Sequence, residues 1–247
     1  NGGLPLLITG DSGTGKSYMA ELMHEFAIAH GLLAADAPLV SFNCAQYASN
    51  PELLAANLFG YVKGAFTGAQ SDKAGAFEAA NGGMLFLDEV HRLDAQGQEK
   101  LFTWLDRKEI YRVGETAQGL PISLRLVFAT TEDIHSTFLT TFLRRIPILV
   151  SLPDLQHRSR EEKEALTLQF FWQEARTLAA RLQLTPRLLQ VLTQYVYRGN
   201  VGELKNVVKY AVASAWARSP GREMLTVTLH DRPETAMAAT PALSEAR

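Results

Sequence analysis

Leu4-Pro5-Leu6-Leu7-Ile8-Thr9-Gly10-Asp11-Ser12-Gly13-Thr14-Gly15-Lys16-Ser17 is the stretch on which the fold turns. Its first part, Leu4 to Thr9, is a short apolar run stopped by glycine, as in a strand buried on both faces of a parallel sheet. Gly10 to Ser17 satisfies the pattern G-x-x-x-x-G-K-[ST]. From Lys16 to about His30, Met19, Leu22, Met23 and Phe26 recur at helical spacing, and Gly31 ends the helix. Glycines let backbone N–H groups wrap phosphates, and a helix N-terminus adds partial positive charge. In such a loop Lys16 reaches the β and γ phosphates of a nucleoside triphosphate, ATP, and the Ser17 hydroxyl ligates Mg²⁺. The cofactor-binding set is therefore Gly10, Asp11, Ser12, Gly13, Thr14, Gly15, Lys16 and Ser17.

Downstream, Met84 to Leu87 is an apolar strand ending in Asp88-Glu89. Such a pair can be a solvated turn, but behind a phosphate loop it suits hydrolysis: Asp88 holds Mg²⁺ through water and Glu89 polarises the attacking water. Leu39 to Phe42 is another strand, ending at Asn43, which serves either as a turn former or as a hydrogen-bond partner for Glu89. Leu124 to Ala129 ends at Thr130-Thr131, hydroxyls that either sense a γ phosphate or are ordinary strand residues. Arg144-Arg145 follow the segment Ser136 to Leu143. They are either a cation pair closing a helix or guanidinium forks offered to a phosphate of a neighbouring subunit.

Further elements are helices over Pro51 to Leu58, Ala74 to Ala80 and Gln96 to Arg107, and a hairpin from Glu109 to Val113 returning near Ile122. Alternating strands and helices predict a parallel α/β sheet with ligands at the carboxyl ends of its strands. Beyond Pro153 the strands are expected to stop, leaving helices over Arg158 to Leu182, Pro186 to Tyr197 and Gly202 to about Arg218. The expected division is an α/β nucleotide-binding domain over 1–153, a small helical lid over 154–220, and a short strand or linker with a frayed tail over 221–247.

One stretch interrupts this core. Gly64-Ala65-Phe66-Thr67-Gly68-Ala69, inside the run Leu58 to Gly83, has glycines at its ends and no sustained period, so it reads as a loop. A phenylalanine among small neighbours suggests a contact surface, and the competing reading is a loop folded back to bury Phe66.

Composition sets limits on function. With 247 residues, 47% of them hydrophobic, the chain can bury a sizeable core, and its net charge of −2 supplies no basic field for nonspecific DNA binding. The single Cys44 excludes an internal disulfide, and six scattered His offer no zinc spacing, which fits a reducing cytoplasm. No apolar run reaches the roughly 20 residues of a membrane span. The start at Asn1, close to a core strand, reads as a piece of a longer protein.

Taken together, GDSGTGKS, GAFTGA and MLFLDEV in that order resemble the AAA+ domain of bacterial enhancer-binding proteins, the activators of sigma-54 RNA polymerase, from about Leu4 to Arg218. The resemblance implies a P-loop NTPase sheet flanked by helices, a helical lid, and a ring, usually a hexamer. That ring hydrolyses ATP with Mg²⁺ to push its loops against sigma-54 and open promoter complexes. On that basis Gly64, Ala65, Phe66, Thr67, Gly68 and Ala69 contact sigma-54, Asn43 restrains Glu89, Thr130 is the first sensor, and Arg145, beside Arg144, acts in trans. Leu139 stands where the family has another trans-acting arginine, and Gly202 where it has a second-sensor arginine. These departures, with FGYVKGAFTGA and DEVHRL, resemble the LevR-like subgroup of sugar-operon regulators. In that subgroup DNA is reached through a domain outside this stretch, with phosphotransferase-system regulatory domains following it. Two other functions remain open at this point: a nucleotide-dependent interaction module with weak turnover, and an AAA+ remodeller of a different client.

Overall fold

The computed structural model describes residues 3–132 and 144–233. They divide into two compact units, residues 3–10 with 16–132 and 144–152, and residues 11–15 with 153–233. The glycine loop thus leaves and rejoins the first unit at its two ends.

The first unit is built on five parallel strands: β1 Leu6–Thr9, β2 Leu39–Asn43, β3 Met84–Asp88, β6 Arg125–Thr130 and β7 Ile148–Ser151, ordered β2-β3-β6-β1-β7. A separate short hairpin pairs β4 Glu109–Ile110 with β5 Leu120–Pro121. Alternate side chains enter opposite faces of the sheet. Leu85, Leu87, Leu126 and Phe128 join one core with Leu58, Phe59, Phe77, Leu101 and Trp104. Met84, Phe86, Val127 and Ala129 join the other with Ile8 and Ala20. Each fully buried side chain of this kind contributes about 1.5–3 kcal/mol relative to exposure. Trp104 fits because its indole N–H donates to the Ile122 carbonyl at 3.0 Å, leaving no unpaired polar atom in the apolar layer.

Helix α1 spans Lys16–Ala29, α2 Pro51–Phe59, α3 Ala76–Ala79 and α4 Ala95–Arg107. Asp94 caps α4 by accepting from Gly97 N–H at 2.8 Å. The buried seam of α1 runs through Ala20 and Ala27, whereas Leu22 and Phe26, expected on the same helical face, are exposed. They line an apolar groove of about 450 Å³ with Leu4, Leu32 and Ile148.

In the second unit, α5 Arg160–Leu178, α6 Pro186–Gln194 and α7 Asn200–Arg218 pack through Phe170, Leu188, Leu192, Leu204, Val208 and Val212. The expectation that strands stop after Pro153 is corrected here: β8 Arg181–Leu184 and β9 Met224–Val227 pair in parallel. Leu178 and Leu182, four residues apart, continue a helical pattern in the sequence. The chain nevertheless leaves the helix at Ala179, which takes a left-handed conformation with φ 49°. Among the described residues, no helix is long and apolar enough to cross a membrane.

Candidate functional site

Parallel register gathers the predicted residues of the first unit at one edge of the sheet: Asn43 lies beside Asp88, and Thr9 beside Thr130. Lys16 opens α1, is 7% exposed, and donates from Nζ to the Gly10 carbonyl at 2.7 Å. Ser17 next to it is exposed. Burial pushes the Asp88 carboxyl above its ordinary range, opposed by the Glu89 N–H it accepts at 3.0 Å, and the Glu89 charge adds to the rise while Lys16 lowers it. A cation would relieve that cost. Magnesium asks for few protein oxygens, since it keeps several waters and takes others from substrate phosphates. The Ser17 hydroxyl and the Asp88 carboxylate fit that demand.

Glu89 sits at φ 52° and ψ 43°, a left-handed conformation that costs a non-glycine residue about 1–3 kcal/mol and collects at functional sites. Its Oε2 accepts from the Thr131 hydroxyl at 3.1 Å and lies 3.4 Å from His91 Nε2. His91 Nδ1 is 2.9 Å from the Oγ1 of Thr130, which is fully buried and also accepts from Glu132 N–H at 3.1 Å. Asn43, read either as a turn former or as a partner of Glu89, accepts from Ala45 N–H at 2.8 Å through its Oδ1, as a turn former does, and the Nδ2 that could donate to a carboxylate takes no part in that bond. Cys44 lies buried behind this edge, its thiol pushed up to about 12 by burial and by the Asp88 charge. Arg144 and Arg145 are both exposed, and the Arg145 guanidinium lies over the Phe102 ring, 4.2 Å from its centroid. Leu139 and the segment Ser136 to Leu143 fall outside the described residues.

Within the second unit, the loop residues are held by their carbonyls. Gly202 N–H donates to Gly13 O at 3.0 Å, Asn200 Nδ2 to Ser12 O at 3.2 Å, and Arg158 Nη2 to Thr14 O at 2.6 Å. Gly13 has φ +78°, and a Cβ there would stand 2.5 Å from Gly199 O, so only glycine fits. Gly202 thus meets the loop through its backbone. Asn200 and Arg158 were not singled out in the sequence. For Arg158 a signal was present: a cation just ahead of a helix N-terminus is poorly placed against the helix dipole and needs partners. It has them in Glu162, at 3.3 Å, and the Pro153 carbonyl, at 3.1 Å. For His91 the signal was its place directly behind the acidic pair.

The loop Gly64–Ala69 is closed on itself by Gly64 N–H to Ala69 O at 2.9 Å and by Ala69 N–H to Phe66 O at 3.0 Å. At its root Tyr61 and Lys73 exchange two hydrogen bonds of 2.9 Å. Thr67 is exposed. Phe66 is 38% exposed, packs its ring edge-on against Tyr61 at 4.9 Å, and borders a cleft of about 210 Å³ with Pro51, Ala55, Lys100 and Val113. The residue is neither freestanding nor in the core, a state between the two readings of the sequence.

Comparison with known proteins places this geometry in a lineage. Residues 1–148 match the Sigma-54 interaction domain, and residues 158–242 match the AAA+ ATPase lid domain. The chain is 46% identical over 230 residues to the transcriptional regulatory protein DagR of Salmonella typhimurium, covering 93% of this chain and 25% of DagR. It is 41% identical over 233 residues to LevR of Bacillus subtilis, covering 94% of this chain and 25% of LevR, so it spans about a quarter of either relative. NtrX from Brucella abortus, in a crystal structure with ATP, superposes with a TM-score of 0.71 at 26% identity, over 97% of this chain and 52% of NtrX. A parallel sheet with a glycine loop after its first strand and an acidic pair after its third, followed by a lid, completes the correspondence: the chain belongs to the Sigma-54 interaction domain family of AAA+ proteins.

Proposed function

We propose that this chain is an ATP-hydrolysing motor domain that remodels closed complexes of sigma-54 RNA polymerase through the loop Gly64–Ala69. The observation that supports it best is that a single unit carries a strained acidic residue, Glu89, at a strand end and a self-closed loop that offers Phe66 and Thr67 to solvent. ATP phosphates lie in the loop Gly10–Ser17, and Lys16 gives up the Gly10 carbonyl for the β and γ oxygens. Ser17 and Asp88 would hold Mg²⁺, which would supply positive charge against the phosphates. Glu89 orients the attacking water through a carboxylate oxygen and draws off its proton. In a ring of such chains, a hexamer by family resemblance, Arg145 leaves Phe102 to stabilise charge on a neighbour's nucleotide. Promoter and enhancer DNA is reached through other domains of a longer cytoplasmic protein, consistent with a net charge of −2 here.

Steady-state ATP hydrolysis measured against protein concentration tests the motor. Activity should rise with assembly and vanish in Glu89→Gln. Promoter opening by sigma-54 polymerase tests the loop: Thr67→Ala should keep ATPase and lose opening, and unchanged opening would remove the loop from the mechanism. A second reading, a nucleotide-dependent interaction module with weak turnover, draws on two observations. By the family resemblance Gly202 stands in place of an arginine, and in the structure Arg145 is engaged on Phe102. Turnover at background at every concentration would favour it.

A further inference from the structure

His91 joins the end of β6 to Glu89. An ionised carboxylate only accepts hydrogen bonds, so the His91 Nε2, which faces Glu89 Oε2 at 3.4 Å and the more distant Glu132 Oε1 at 4.0 Å, carries the ring proton. In the neutral ring Nδ1 is then an acceptor. Thr130 Oγ1, which already accepts from Glu132 N–H, supplies its own proton to Nδ1 across 2.9 Å. The result is a directed chain, Glu132 N–H to Thr130 O–H to His91 to Glu89. The Thr131 hydroxyl, 3.1 Å away, donates to the same Oε2. Both restraints therefore act on one oxygen, and among the described residues none engages Oε1. Thr130 is fully buried and the His91 side chain is 8% exposed, so water competes poorly for these bonds.

We propose that His91 is a positioning residue for Glu89: through Thr130 it ties the carboxylate to the end of β6, turning Oε1 toward the water that attacks ATP. This restraint comes from a side chain of the acidic segment itself and is separate from the one that family resemblance gives to Asn43. This rests on the ATPase reading above and adds a residue to it.

Steady-state ATPase and nucleotide affinity of the full chain test it, with Glu89→Gln as reference. His91→Leu keeps the bulk and loses the Thr130 hydrogen bond and the 3.4 Å contact with Glu89. It should lower kcat about tenfold or more, the scale of a small misplacement of a reacting group, with the Kd for ATP unchanged. His91→Gln, which can accept from Thr130 and donate to Glu89, should hold kcat within about threefold of wild type. Thr130→Val cuts the same chain at its other end without disturbing His91 packing, and keeps the test open if His91→Leu does not fold. Combined with His91→Leu it should lose no more than the worse single change. Wild-type kcat in His91→Leu or Thr130→Val, equal losses in Leu and Gln variants, or additive losses in the double variant would each overturn the proposal. If Glu89→Gln still turns over at the wild-type rate, the ATPase reading itself fails. If Glu89→Gln is inactive while His91→Leu is not impaired, only His91 loses its role.

Discussion

Gly75 gives the strongest test of how the exposed loop is held. A Cβ on Gly75 would lie 2.3 Å from the Gly60 nitrogen, 2.6 Å from the Leu58 carbonyl oxygen and 2.6 Å from the Phe59 carbonyl carbon. Heavy atoms sit comfortably at about 3.5–4.0 Å, so two backbone segments would have to part by about 1 Å, and backbone cannot swing aside as a side chain can. The segments that part are the two arms of the loop root, beside the Tyr61–Lys73 pair of 2.9 Å bonds. Overpacking of this kind costs about 1–3 kcal/mol. Each backbone hydrogen bond lost adds about 0.5–1.5 kcal/mol. Gly75→Ala should therefore weaken the root by about 2–6 kcal/mol. At the lower bound the Tyr61 and Lys73 amides exchange about thirtyfold faster, a tenfold change being about 1.4 kcal/mol. ATPase should persist while promoter opening falls, because the phosphate loop is untouched. Unchanged exchange at Tyr61 and Lys73 would refute the argument that glycine is needed there.

The remaining predictions concern charge and burial. The Asp231 side chain is 1% exposed and accepts from Thr228, Ser214 and Arg218; burial raises its pKa, but these hydrogen bonds outweigh burial and hold it below the ordinary carboxylate range. A carboxylate with a depressed folded pKa stabilises above its unfolded value of about 4 and loses that contribution as pH falls through the folded value. Asp231→Asn should cost about 1–3 kcal/mol at neutral pH, limited by the 54% exposure of the Arg218 side chain, and should flatten the acid limb of a denaturation series below about pH 4. A wild-type midpoint at neutral pH would contradict it. Cys44, its thiol pushed up to about 12, should resist a thiol reagent at about pH 8 until the chain unfolds. Rapid native-state labelling would show the side chain to be accessible. Arg158→Met removes the 2.6 Å bond to Thr14 O from a side chain that is 7% exposed. It should lower stability by about 1.5–3 kcal/mol in chemical denaturation, and an unchanged midpoint would rule out a clamp.

The sequence was readable where chemistry is local along the chain and opaque where it depends on register. Lys16, Ser17, Asp88 and Glu89 announce themselves because a phosphate loop needs contiguous glycines and a strand end needs its acids adjacent. Thr130 and His91 lie 39 residues apart, and only the placement of β6 beside β3 brings them together. Asn43 shows the same limit: its Oδ1 accepts from Ala45 N–H two residues on, a turn-forming bond the sequence suggests locally, whereas any use of its Nδ2 toward Glu89 depends on how β2 lies beside β3. Strand β7 is hard to read from sequence because it is a short edge strand directly after Pro147, with Ile148 and Leu149 exposed and no residue fully buried. β8 and β9 are four residues each and pair across more than forty residues, too short to outweigh the helical spacing around them. In α1 the spacing holds and the face is half right: Met19 and Met23 pack against the sheet core beside Ala20, whereas Leu22 and Phe26 are exposed.

What connects Glu89 to Phe66 is a continuous run of packed structure in the first unit. Glu89 leads through the buried Val90 and Leu93 to Asp94, which caps α4. The first turns of α4 supply Gly97 and Lys100 to the cleft that Phe66 borders, and Lys100 also donates to Tyr111 O at 3.1 Å. Val113, two residues further, bonds to Gly60 and Val62 at the loop root. Contiguity of this kind offers a route and does not by itself demonstrate coupling, which requires that both ends bias one two-state element. The two ends can be separated. His91→Leu should lower turnover with Tyr61 exchange unchanged, and Gly75→Ala should speed Tyr61 exchange with turnover unchanged. If each variant instead altered both quantities, α4 would be the shared element, and the stroke would have to be sought in its first turns.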